Sequence, residues 1–147
     1  MKVVINAKHG GFGLSNWGVE EYARRAGIVL YVHEPDSLMG VSMQRLTGSK
    51  DYWLVPQDQR PATPEPWHEQ PIEVRKAHNE EWSRLNFCSR NLKRDDPILV
   101  AVVEEDAERA SAKFAALKVV EIPNDVEWEI DEYDGAEWVA EKHRRWS

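Results

Sequence analysis

The chain predicts a mixed fold of helices and strands, α/β in the broad sense (α+β), built as a single domain. Three observations carry this. A β-branched run, Lys2–Asn6, precedes a helix-compatible segment and a second β-rich run, Ile28–Val32; Asp96-Pro97 opens a long apolar stretch; and apolar and acidic residues alternate near the end. With 147 residues, 41% of them hydrophobic, the chain is long enough for one core and short for two ordinary domains.

Each element follows from local chemistry. Lys2–Asn6 is a buried strand, and residues 7–14, with glycines at 10, 11 and 13, form a loop, because glycine favours open or left-handed backbone. Ser15 or Asn16 then caps a helix whose Val19, Tyr22, Ala23 and Ala26 recur at helical spacing, with Arg24 and Arg25 in its last turn and Gly27 as its stop. The strand Ile28–Val32 follows at once. A β-α-β unit with parallel strands and a right-handed crossover is therefore expected.

From Glu34 to Pro71 six prolines break periodic structure, giving an irregular excursion with one short strand at Tyr52–Val55 and an extended loop at Gln57–Gln70. Ile72–Leu85 carries a thin helical stripe of Val74, Ala77, Trp82 and Leu85. Asp96 is a capping acid and Pro97 occupies the first helical position, so a third helix runs to about Glu105. Lys118–Ile122 is a strand stopped by Pro123, and Val126–Ile130 alternates as a half-exposed strand does. Asp134-Gly135 reads best as a hairpin turn, although Asp134 with Glu137 also fits a capping box opening a helix through His143.

Composition excludes several classes. A net charge of −7 argues against non-specific binding to nucleic acid or an anionic membrane, and no stretch approaches the roughly 18 apolar residues of a membrane span. The lone Cys88 rules out an internal disulfide framework and fits a reducing, intracellular setting. Nothing in the pattern calls for a cofactor or a bound metal: His9, His33, His68, His78 and His143 make no close metal-binding pair.

Val4-Ile5-Asn6 followed by Gly10-Gly11-Phe12-Gly13-Leu14-Ser15 belongs to a wider set of recognisable segments. They continue at Arg94-Asp95-Asp96-Pro97, Leu99-Val100, Val102-Val103-Glu104-Glu105 and Lys118-Val119-Val120-Glu121-Ile122-Pro123. The densest run is Trp128-Glu129-Ile130-Asp131-Glu132-Tyr133-Asp134-Gly135, with Val139-Ala140-Glu141, His143-Arg144 and Trp146 after it. Together they resemble an uncharacterised family of small proteins encoded by tailed bacteriophages. The resemblance covers the N-terminal quarter and most of the chain after about Phe87, and the middle, Glu34–Asn86, departs from it. It implies a phage accessory protein in the cytoplasm of an infected bacterium, for which counter-defence is a common role. The family has no established catalytic residues to transfer.

The sharpest candidate site is the glycine loop. Gly10, Gly11, Phe12, Gly13 and Ser15 lie between a strand and a helix N-terminus, where backbone N–H groups bind anions well, and Arg90 and Arg94 supply guanidinium forks suited to phosphate. The loop lacks the third glycine of the dinucleotide fingerprint and the lysine of a P-loop. The expectation is a binding protein that sequesters a small phosphate-bearing, nucleotide-derived ligand such as a host-defence signal.

Two alternatives stand beside it. One is an acidic protein-interaction module that inhibits a host protein through the Pro-rich loop or the acidic C-terminal strands, where Glu127, Glu129 and Asp131 share a face opposite Trp128 and Ile130. Its sign would be an exposed aromatic patch with no enclosed pocket. The other is a nucleotide hydrolase with His143, Glu141 and Asp134 as acid–base groups. Of the seven tryptophans, Trp128 is expected in the core, whereas Trp53 and Trp67 are candidates for a ligand or partner surface. A small Trp-rich chain is also compatible with a homo-oligomer.

Overall fold

The computed structural model describes residues 1–142. In chain order the elements are β1 (Lys2–Asn6), α1 (Asn16–Ala26), β2 (Tyr31–His33), α2 (Leu38–Thr47), β3 (Asp51–Trp53), α3 (Ile72–Leu85), α4 (Pro97–Glu105), α5 (Ala107–Ala110), β4 (Leu117–Glu121), β5 (Trp128–Tyr133) and β6 (Ala136–Glu141). Helices and small antiparallel sheets are thus mixed in one chain, the α+β class expected from the sequence. They form two compact units: Met1–Gly27 with the chain from Ser89 onward, and Ile28–Cys88.

In the first unit β1 pairs antiparallel with β4, from Lys2↔Glu121 to Asn6↔Leu117. The expected parallel pairing of β1 with the second strand does not occur, and among the described residues there is no single mixed sheet: each sheet has two strands. Length and burial explain the choice. Val3 and Val4 are fully buried, so the strand needs its whole ladder covered, and five-residue β4 matches it where three-residue β2 falls short. Helix α4 packs on this pair and α1 packs on α4, burying Val19, Tyr22 and Ala23 from α1 and Leu99, Val100, Val102 and Val103 from α4.

The predicted helix ends hold. Ser15 Oγ accepts the Gly18 N–H, and Gly27 closes α1 at φ 71°. Asp96 caps α4 by accepting the Ile98 N–H at 2.8 Å, and its other oxygen takes the Tyr22 hydroxyl at 2.6 Å, tying the two helices together. Residues 128–141 form the β5–β6 hairpin, not a helix, with Asp134 (φ 49°) and Gly135 (φ 87°) both in the left-handed region that such a two-residue turn requires.

In the second unit β2 pairs antiparallel with β3, from Tyr31↔Trp53 to His33↔Asp51. After α3, Phe87 donates to the Tyr52 carbonyl and Leu54 to that of Leu85, which fastens the helix end to β3. The centre is aromatic. Trp53 is fully buried, stacked on His33 at 4.9 Å and met edge-on by Trp82 at 4.6 Å, with the Arg60 guanidinium over both indoles. The supposed irregular excursion therefore contains a whole helix, α2, capped by Ser37 and by Gly48 at φ 70°.

Candidate functional site

The glycine loop packs against the β5–β6 turn. A side chain at Gly135 would meet the Gly11 nitrogen at 2.4 Å, and one at Gly10 would meet the Phe114 carbonyl oxygen at 2.4 Å, so backbone lies on backbone at both points. The Gly10 N–H donates to the Asp134 carbonyl, Leu14 N–H to Ser89 Oγ, and Ser15 N–H to the Ala110 carbonyl. Gly13 gives its carbonyl to Ala112 N–H, while Ser15 Oγ serves α1 as its cap and donates to the Arg109 carbonyl. The Asn6 side chain, fully buried, donates to the Lys8 and Gly135 carbonyls and accepts the Ala116 N–H. These groups hold loop, hairpin and helix to one another.

Arg94 turns inward. Its guanidinium forms a two-pronged pair with the Glu137 carboxylate at 2.7 and 2.9 Å, lies 3.6 Å from the centre of the buried Phe12 ring, and reaches the Val4 carbonyl at 3.3 Å. Glu137 also accepts the Asn6 backbone N–H at 2.7 Å. Arg90 is exposed, on a single turn of residues 89–91. The predicted phosphate-binding set is thus distributed between a structural clamp and an exposed arginine.

His143 lies outside the described residues. Asp134 sits in the turn and Glu141 at the far end of β6, about 20 Å away along an extended strand, so this pair does not converge on a reacting atom. Among the described residues no group of three His, Cys, Asp or Glu side chains is placed to hold a metal ion.

The structure departs from the expectations for Trp53 and Trp128. Trp53 is core, Trp128 is half-buried, and Trp67 packs edge-on against His78 at 5.4 Å. Among the described residues the exposed tryptophan is Trp138. The hairpin register explains why: Trp138 is opposite Asp131, and two-residue periodicity puts Glu129, Asp131, Tyr133 and Trp138 on one face. Tyr133 is 74% exposed and Trp138 48%, while Ile130 and Val139 on the other face are half-buried. Sequence alternation assigned the acids to this face; Trp138 was legible only once the pairing about Asp134-Gly135 was set.

A second exposed surface lies on α2, none of whose side chains is buried. Leu38, Met39, Met43 and Leu46 are between 52% and 89% exposed. Among the described residues, an open groove of about 870 Å³ runs along α3 beside Ile72, Arg75 and Lys76. No family model, no curated protein and no solved structure matches the chain.

Proposed function

We propose that the chain is an acidic protein-binding module whose β5–β6 hairpin receives a Lys/Arg-rich segment of a partner protein. The observation that carries this is the outer hairpin face, where exposed Trp138 and Tyr133 stand among Glu129 and Asp131. Aromatic rings attract cations through their negative faces, and neighbouring carboxylates add charge-assisted hydrogen bonds, so the combination selects Arg and Lys side chains. Glu127, Glu132 and Asp134 are exposed on the same hairpin or just before it and extend the negative field that speeds encounter with a basic partner. In an infected bacterium the partner would be a host protein that the module blocks. A small phosphate-bearing ligand has less support, because Arg94 and much of the glycine loop already have internal partners.

The test is calorimetric titration with a Lys/Arg-rich peptide and a neutral peptide of equal length. The basic peptide binds, weakens as salt rises, and loses about tenfold or more in affinity in Trp138→Ala, a change that leaves net charge untouched. Equal binding of both peptides, or full affinity in Trp138→Ala, would overturn the proposal.

A further inference from the structure

We infer that α2 is the contact by which a second copy of this chain docks, as an antiparallel helix pair. The proposal is independent of the hairpin reading and rests on a different unit of the fold. At 100° per residue, Leu38, Ser42, Leu46, Met39 and Met43 fall in one stripe about 140° wide. That stripe faces outward: Leu38 is 89% exposed and Met39 77%. The opposite side is turned to the chain itself. Val41, Gln44 and Thr47 are half-buried there, and a side chain at Gly40 would meet Pro35 at 3.2 Å. A helix with its apolar side in water calls for a partner surface.

The helix complements itself. Ser42 lies midway between Leu38 and Leu46, so a two-fold axis at this small residue lets two helices approach closely and sets Leu38 of each copy against Leu46 of the other. Glu34 precedes the helix and Arg45 lies in its last turn, both with exposed side chains. Antiparallel docking brings the acidic end of each copy to the basic end of the other and opposes the two helix dipoles. A parallel pair would put like charges together at both ends.

The experiment is sedimentation velocity on the full chain across a concentration series, with Leu38→Lys and Leu46→Glu made singly and then mixed. Both sites are exposed, so far-ultraviolet circular dichroism should match the wild type. The wild type associates as a dimer, each variant alone weakens dimerisation by about a hundredfold or more, and an equimolar mixture recovers it. Recovery is specific to the antiparallel register, because only there does the new lysine of one chain meet the new glutamate of the other while the remaining leucines stay paired. A wild type monomeric throughout overturns the proposal and leaves the stripe to a different protein; dimers unaffected by either variant, or a mixture that stays monomeric, overturn it as well.

Discussion

Replacing Arg94 by alanine should destabilise the first unit severely. The Arg94 and Glu137 side chains are 17% and 9% exposed, and two hydrogen bonds of 2.7 and 2.9 Å join them. Removing the guanidinium leaves a shielded carboxylate with the Asn6 N–H at 2.7 Å as its remaining described partner, and uncovers Phe12. Breaking a pair this well shielded costs about 3–5 kcal/mol, and the lost contact with the aromatic ring is part of the same loss. Taking about 3 kcal/mol as the lower figure, a chain of this size should melt about 6–12 °C lower. Arg94→Lys keeps the charge but not the fork and should lose about 1–2 kcal/mol. Urea unfolding followed by near-ultraviolet circular dichroism measures each change, and a double-mutant cycle with Glu137→Ala should give a coupling of about 2 kcal/mol. If Arg94→Ala unfolds within about 0.5 kcal/mol of wild type, the clamp is not structural and the argument that Arg94 is already occupied fails.

Three further outcomes follow from the same geometry. Gly135→Ala should cost more than about 2 kcal/mol, because its Cβ would meet Gly11 nitrogen at 2.4 Å, whereas Gly11→Ala, at φ 91° with open space around it, should cost only about 1–2 kcal/mol; equal losses in thermal melts would contradict this. Asp96→Ala should lose about 2–4 kcal/mol, since it removes both the α4 cap and the acceptor of the Tyr22 hydroxyl, and Tyr22→Phe should lose about 1–3 kcal/mol; an Asp96→Ala loss no larger than an ordinary cap would sever the link between them. Arg24 and Arg25 hold the Glu21 carboxyl down to about 2, so its stabilising contribution is full above pH 4.5 and disappears as pH falls from there towards 2; burial and Asp96 push the Tyr22 phenol up to about 12, so that contribution is full below pH 10 and is lost between 10 and 12. Melting temperatures of Glu21→Gln and Tyr22→Phe should lose sensitivity in the acid and alkaline windows respectively, and a variant whose pH profile parallels the wild type would refute that assignment.

What could be read from the sequence is what contiguous residues encode. Ser15 with Gly27, Asp96 with Pro97, and Asp134 with Gly135 each act on backbone a few residues away, and the two helices and the hairpin appeared where these signals placed them. Strand partnership is different, because β1 selects among segments by length and burial, and its partner β4 lies more than a hundred residues on. Helix α2 escaped notice although its caps, Ser37 and Gly48, are plain; its Pro-rich surroundings suggested irregular chain. The Arg94–Glu137 pair spans 43 residues with no local signature, so a basic cluster that suggested a phosphate site became part of the fold. Trp53 illustrates the same limit: a tryptophan in a Pro-rich stretch looked exposed, yet it is the centre of the second unit.

The most direct test of the binding account is a two-dimensional 15N–1H titration of the full chain with the Lys/Arg-rich peptide. The account predicts shifts concentrated on residues 127–141, including the Trp138 side-chain indole, with the glycine loop changing only where it abuts the turn. Shifts centred instead on Gly13, Ser15 and Arg90, with the Trp138 indole unmoved, would contradict it.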